Sequence, residues 1–380
     1  MKVLIINDTT DWYHFGCTGT SLALKNEIEK LGHTVCLFSI MERSKLICLP
    51  ESIDDFFNQG NLVTFISHNN EFSELVKTCD IVIVNGEGTL HGIKNGPLSL
   101  LYIIYVAKNI FSKHVQIINH SAYPNDTEST EDTPASMLYK RIYNDVDFVA
   151  VREPVSATIM RQFNIEITES FDCLPLYIKH CYPRGLKTSK SNIILLSGTA
   201  AWFNLNIFTT APQPSNEIKS GLYQIINILK HKIAEGYEIK FLFSSISHPA
   251  KDDQEMMHFL SENMGENLQI IYASNINEWL KHIEEAKLLI SGRFHHSIAA
   301  ACLGTNFIAL NSNTPKILGL MQAIGHEEPL LYSNKNLTES LYKKINSKLT
   351  AKDPSNALLD DLCLKAQNNF NLLRKLKAAL

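Results

Sequence analysis

A chain of 380 residues with 45% hydrophobic and 19% charged side chains has enough apolar mass for two ordinary domains and the profile of a soluble globular protein. Its formal net charge of −4, with no long basic run, argues against nucleic acid as a partner. Apolar runs such as 97–107 fall well short of the roughly 18–20 residues needed to span a bilayer. The expected location is therefore cytoplasmic, with peripheral attachment to the inner face of a membrane left open. The eight cysteines are scattered, without a C-x-x-C pair or ligand-spaced histidines, which points to reduced thiols rather than disulfides or structural zinc.

Lys2–Ile6 reads as a strand and is followed by a polar turn around Asn7–Thr10. Residues 16–31 begin with small side chains, continue with helical periodicity and close at Gly32-His33, and Val35–Ile40 returns as a strand. The Gly16–Gly19 region resembles a phosphate-cradling loop but lacks the G-x-G-x-x-G fingerprint, so no nicotinamide site is expected. Close packing of the helix start explains the small residues equally well. Short helices are predicted at 52–59 and 69–77.

Asp80–Val84 has the pattern of a central strand and runs into Asn85-Gly86-Glu87-Gly88-Thr89-Leu90. Glycines at the carboxyl end of a buried strand let backbone approach a ligand, so Gly86, Gly88 and Thr89 are candidate contacts. Glu87 is either a ligand contact and general base or a cap on the next turn. Residues 98–111 read as an apolar helix. The strand His114–Asn119 delivers His120 to the rim where open α/β sheets bind ligands; it is either a site residue or a satisfied buried histidine. Residues 125–136 are acidic and polar, a predicted loop. The strand Val146–Val151 aims Arg152 at the same rim, the alternative being an ion pair with Glu153 or another local acid.

Residues 183–192 make the best linker. A second strand–helix series follows: strand 193–196, helix 216–234, strand 238–243, polar segment 244–253, helix 252–263, strand 268–272 and helix 276–286. It leads to the apolar run 286–290, a tight Ser291-Gly292 turn, and a helix over Ser297–Leu303 ending at Gly304. A strand turning directly into a helix presents unpaired N–H groups and a partial positive charge, which favour an anion. Arg293 adds a guanidinium fork for carboxylate or phosphate, and His295 a group that exchanges a proton near neutral pH. A strand at 306–310 and a helix starting around Asn313–Lys316 follow. Two successive βα series predict an α/β fold with two Rossmann-like, doubly wound parallel-sheet domains facing a central cleft. The expected bounds are 1–184 and 190–353, with an amphipathic C-terminal helix over 354–380 free to pack back on the first domain.

Taken together, these residues resemble the polysaccharide pyruvyl transferase family. The resemblance is carried by the Gly-rich turn at Asn85–Leu90, V-R-E-x-x-S at Val151–Ser156, F-D-C-L-P-L at Phe171–Leu176, and S-G-R-F-H at Ser291–His295 with its small-residue helix. Lys316 falls where the family often has a lysine. Membership implies two domains arranged as in B-type glycosyltransferases (GT-B). It also implies transfer of a pyruvyl group from phosphoenolpyruvate to a sugar of a cell-surface glycan, forming a ketal, as in exopolysaccharide, lipopolysaccharide or capsule biosynthesis. Arg293 and Arg152 then match the anion-binding arginines and His295 the family's histidine. Ser291 and Gly292 line the same turn. No cofactor and no metal are implied.

Ketal formation needs an acid for the enol methylene carbon, here His295, and a base for the sugar hydroxyl, here Glu87 or His120. Gly-Glu-Gly departs from the family's glycine triplet. The His248-Pro249 pair is similar to one in bacterial sialyltransferases and related enzymes using CMP-activated keto-sugars. In those a histidine meets the nucleotide phosphate and an acid in the first domain is the base, roles that suit His248 and Glu87. A nucleotide-sugar donor is therefore the alternative, with a saccharide acceptor, lipid-linked or free, in either case. A non-catalytic glycan- or nucleotide-binding protein is the third reading.

Overall fold

Mostly apolar runs of four to seven residues, with one two-residue edge strand, build two all-parallel sheets. The computed structural model describes residues 1–183, 190–204, 213–214, 216–246, 250–351 and 357–378. By internal contacts it divides into two units. One comprises Met1–Trp12, Cys17–Leu176 and Cys363–Leu380, the other Tyr13–Gly16 and Tyr177–Leu362.

In the first unit, six strands pair in the order β2-β1-β3-β4-β5-β6. They are β1 (Lys2–Asp8), β2 (Thr34–Ser39), β3 (Ile81–Glu87), β4 (His114–His120), β5 (Phe148–Val151) and β6 (Thr168–Glu169). Helices cover both faces, so the central strands read as unbroken apolar runs; Val82, Ile83 and Val84 are wholly buried. The chain winds outward from β1 to β2, then returns to place β3 on the other side of β1. The order reverses there, and the carboxyl ends of β1 and β3 flank the crevice where such sheets take ligands.

Local features depart from expectation in places. Gly16 and Gly19 lie inside the first turns of the helix Phe15–Lys30, not in a loop. Residues 52–57 are turns; the helix begins later, at Gln59–His68, because Asn58 caps it by accepting from the Gly60 and Asn61 amides. The apolar helix Asn95–Tyr105 ends in a π turn, Val106–Ile110. Near the C-terminus, helix Ala357–Ala366, a 3₁₀ turn and helix Asn371–Ala378 follow in succession. Asn369 in that turn is fully buried; its side chain accepts from the Asn119 amide (2.8 Å) and donates to the Phe171 carbonyl (2.9 Å). This ties the 3₁₀ turn to the end of β4.

In the second unit, five strands pair in the order β11-β10-β7-β12-β13. These are β7 (Ile193–Thr199), β10 (Glu238–Leu242), β11 (Leu268–Ile271), β12 (Leu288–Gly292) and β13 (Asn306–Ala309). Between β7 and β10 sits a separate antiparallel ribbon, β8 (Phe203–Asn204) with β9 (Gln213–Pro214). The winding reverses between β7 and β12, so the Ser291–His295 turn stands at this sheet's own switch point. Among the described residues, no helix is long and apolar enough to cross a membrane.

Candidate active site

At the first switch point the backbone is forced into an uncommon region. Asn7, Glu87 and Asn119, at the ends of β1, β3 and β4, have φ of 62°, 40° and 53°. Left-handed conformations cost non-glycine residues on the order of 1–3 kcal/mol each and cluster where function requires them. Buried hydrogen bonds hold them. Asn7 Nδ2 donates to the Asn85 carbonyl (2.7 Å), and Asn119 Nδ2 donates to Asn85 Oδ1 (2.8 Å). Asn85 Nδ2 in turn donates to Ser21 Oγ (3.1 Å) and Glu87 Oε1 (3.2 Å). Glu87 Oε1 also accepts from Thr9 Oγ1 at 2.7 Å. The Cys17 thiol hydrogen-bonds the same carboxylate, and burial followed by Glu87's charge pushes that thiol well above its usual range. The acid is thus fixed by donors from both sides of the switch point, more than a turn cap requires. Gly88 and Thr89 are half-buried beside it, and Thr89 Oγ1 accepts from Asn7 Nδ2 (3.3 Å).

Arg152 does not have the exposed fork expected of an anion clamp. Its side chain is buried, Nε donates to Ser121 Oγ (3.0 Å), and Nη1 donates to Asp172 Oδ2 (2.8 Å). Asp172, itself wholly buried, also accepts from Thr20 Oγ1 (3.0 Å) and the Leu174 amide (2.9 Å). Glu153 is not the partner: it caps the helix Pro154–Gln162 and accepts from the Tyr123 hydroxyl (2.8 Å). The pair therefore joins two of the motif segments, V-R-E-x-x-S and F-D-C-L-P-L, through their charged residues.

His120 is corrected from candidate base to buried support. It is 0% exposed, its Nδ1–H donates to the Ala150 carbonyl (2.9 Å), and burial pushes its pKa down to about 3. A base that reaches no solvent and resists protonation cannot meet a sugar hydroxyl. His120 also fills the space beside Gly86, where a Cβ would lie 2.4 Å from His120 Cβ, so close packing requires glycine there.

In the second unit, β12 ends at Gly292 and the helix Phe294–Leu303 starts two residues later, earlier than expected. Ser291 is buried, with its Oγ 2.6 Å from Ser197 Oγ and accepting from the Arg293 amide (3.0 Å). Gly292 is needed because a Cβ there would lie 2.6 Å from Thr199 Cβ. Both shape the turn, with the Ser291 hydroxyl engaged by Ser197 and Arg293 rather than open to a ligand. Arg293 is also already engaged: Nε donates to Asp253 Oδ1 (2.9 Å), and Nη2 donates to Asp253 Oδ1 and Asp252 Oδ1 (2.7 Å each). It is a held cation rather than a swinging one. Gly198 leaves room for this, since a Cβ there would fall 1.5 Å from Asp253 Oδ1.

His295 is half-buried on the first turn of that helix, and its imidazole packs onto Gly16. Lys316, half-buried, begins the helix Lys316–Ala323. His248 lies outside the described residues. Among those described, no group of three or more His, Cys, Asp or Glu side chains is placed to hold a metal ion.

His296 has a different part from its neighbour. Trp279 Nε1–H, which can only donate, gives its hydrogen bond to His296 Nε2 (3.1 Å), so that nitrogen carries the lone pair. Burial holds His296 neutral, with its pKa pushed down to about 3. His120 and His296 thus both titrate far below the ~6.5 of an unfolded chain. Between about pH 3 and 6.5 the unfolded chain binds more protons, so stability rises with pH through that window and is fully present above it. Thermal unfolding at pH 7, 6 and 5 is expected to show falling Tm, each histidine contributing up to ~1.4 kcal/mol per pH unit. His296→Gln, which keeps an acceptor but does not titrate, should flatten the slope; an unchanged slope would show that His296 is not held neutral.

Residues 20–314, from the helix after β1 to just short of Lys316, match the family described as polysaccharide pyruvyl transferase. The chain belongs to the polysaccharide pyruvyl transferase family. It is a transferase of polysaccharide biosynthesis by that membership. No curated protein matches the sequence. Solved structures share the fold at low identity. UDP-GlcNAc 2-epimerase from Methanocaldococcus jannaschii has a TM-score of 0.61 at 15% identity, covering 100% of both chains. The Neisseria meningitidis UDP-GlcNAc 2-epimerase bound to UDP-GlcNAc has 0.59 at 12%, covering 99% of each. Sucrose-phosphate synthase from Thermosynechococcus elongatus has 0.52 at 12%, covering 100% of each. These likenesses establish two Rossmann-like domains of the GT-B class.

Several side chains of this pyruvyl transferase family member escape sequence reading. Thr9 and Cys17 hold Glu87, Asp172 holds Arg152, and Asp252 and Asp253 hold Arg293. His14 joins the second unit by hydrogen-bonding Ser244 (2.8 Å). The adjacent acids Asp252-Asp253 at a helix start were a visible signal. His14 and Ser244 gave none, being far apart in the chain.

Proposed function

We propose that this protein transfers the pyruvyl group of phosphoenolpyruvate to a saccharide, forming a ketal. His295 delivers a proton to the enol methylene carbon, which becomes the methyl group and leaves an oxocarbenium-like centre. One sugar hydroxyl oxygen bonds to that carbon and loses its proton to Glu87; the C–O bond to phosphate then breaks, and phosphate departs carrying that proton. A second hydroxyl oxygen of the same sugar bonds in its place, and its proton restores His295. The donor's anionic groups meet Arg293, Lys316 and the amides opening the helix Phe294–Leu303. The observation that carries the reading is the Arg293–His295 turn: a fixed guanidinium and a half-buried imidazole at a sheet switch point, in a chain of this family.

The test combines ligand screening with turnover. Phosphoenolpyruvate is expected to raise Tm more than CMP or UDP does. With an accepted saccharide, phosphate should be released and a ketal methyl signal appear by NMR. His295→Ala should lower kcat by on the order of a hundredfold or more while phosphoenolpyruvate still raises Tm. Full turnover in that variant would remove the assigned acid. A shift with CMP or UDP and none with phosphoenolpyruvate would favour glycosyl transfer from a nucleotide sugar instead, with Glu87 again the base.

A further inference from the structure

We propose that His14 is a further anion-binding residue of the Arg293–His295 site, and that its imidazole takes up a proton when a phosphate-bearing ligand binds there. The inference rests on the reading that this site receives the donor's anion.

The geometry begins with the segment Tyr13–Gly16, which belongs to the second unit although it lies near the start of the chain. The Phe15 amide donates to the Ser244 carbonyl (2.9 Å), and His14 forms a β-bridge with Ser245. These bonds seat the imidazole with Nδ1 2.8 Å from Ser244 Oγ. Ser244 Oγ donates to Asp253 Oδ2 (3.5 Å), and Asp253 Oδ1 accepts from Arg293 Nε (2.9 Å). An ionised carboxylate only accepts, so the single hydroxyl proton of Ser244 is committed to Asp253. With Ser244 turned to Asp253, His14 Nδ1 is the nitrogen that donates to Ser244, and Nε2 carries the lone pair. A relay from His14 through Ser244 and Asp253 reaches Arg293, and the basic atom of the imidazole is Nε2.

Charge supplies the second argument. The groups facing His14 are Tyr13 on its own segment, with ring centroids 4.1 Å apart, and Ser244 and Asp253 of the relay. Arg293, His295 and His296 come from the strand–helix turn, and Lys316 from the next helix. Asp252 completes the set through its bond to Arg293 (2.7 Å). Asp252 and Asp253 both bond Arg293, so part of its charge is already met within the protein before a phosphate dianion arrives. Burial, followed by the charges of Arg293, His295, His296 and Lys316, holds His14 well below the ordinary imidazole range. An arriving dianion opposes that field and favours protonation of His14.

The experiment is isothermal titration calorimetry of the full chain at pH 7 with phosphoenolpyruvate and, separately, inorganic phosphate. Each is run in two non-phosphate buffers of different ionisation enthalpy. Binding is expected with net proton uptake. His14→Asn should abolish most of that uptake and weaken binding about tenfold, and Ser244→Ala, which breaks only the relay, should reduce it partly; the Tm of each variant reports folding. Uptake that persists in His14→Asn but disappears in His295→Asn would overturn the proposal while leaving the donor site intact. Uptake dependent on His14 with UDP or CMP, and no binding of phosphoenolpyruvate, would sink the donor assignment and leave His14 standing. Failure of every anion to bind the unaltered protein would overturn the proposal, with the turnover assay judging the function separately.

Discussion

Replacing Gly16 by alanine is expected to cut turnover by on the order of a hundredfold while leaving the protein folded. The added Cβ would lie 2.2 Å from His295 Cβ, 2.4 Å from Cγ and 2.6 Å from Nδ1. Rotation about χ1 moves the imidazole ring but not its Cβ, which is fixed to the helix Phe294–Leu303. Relief therefore requires backbone to move, and a displacement of about 1 Å at a reacting group suffices for such a loss. Stability should change far less. Overpacking costs about 1–3 kcal/mol, but alanine is favoured over glycine inside a helix by about 1 kcal/mol, and Gly16 is helical. The paired measurements are kcat and Tm. A variant with unaltered kcat would show that His295 does not act on the substrate from this position.

Arg152→Ala should have the opposite signature. Removing one partner of a buried ion pair costs about 3–5 kcal/mol because the other charge is left uncompensated. Asp172 is wholly buried; Thr20 and Leu174 bond its Oδ1, while Arg152 bonds Oδ2, so the variant removes the cation from a carboxylate that stays out of solvent. For a unit of this size the loss corresponds to a Tm lower by about 10 °C. Arg152→Met combined with Asp172→Asn should recover part of it, since paired neutralisation removes the stranded charge. Had Arg152 been a donor clamp, the single variant would raise KM for phosphoenolpyruvate with little change in Tm. That outcome would overturn the structural assignment made for it.

The contrast between these arginines shows how far residue type leads. Arg152 and Arg293 each stand just after a strand, as their spacing implied, and each is an excellent anion ligand by chemistry. Both are held by aspartates, from 20 residues away in one case and about 40 in the other. Glu87 reads in sequence as a cap or a base, and the fold adds hydrogen bonds from Thr9 and Asn85 at a φ of 40°. His120 was ambiguous too, and burial decided against it.

What the chain determined by itself is local or repeated. Continuous apolar runs mark strands covered on both faces, alternation with helical periods dictates two parallel sheets, and the residue after each strand must lie on a rim. The motif segments were enough to mark the family. Tertiary structure alone decided which rim residues meet. Strand order brings β1 beside β3 and β7 beside β12, pairing residues about eighty to a hundred positions apart. It also carries His14 to Ser244 and Gly16 under His295. A side chain's charge state and freedom depend on such neighbours, through desolvation and short-range electrostatics, and no pattern along the chain encodes them.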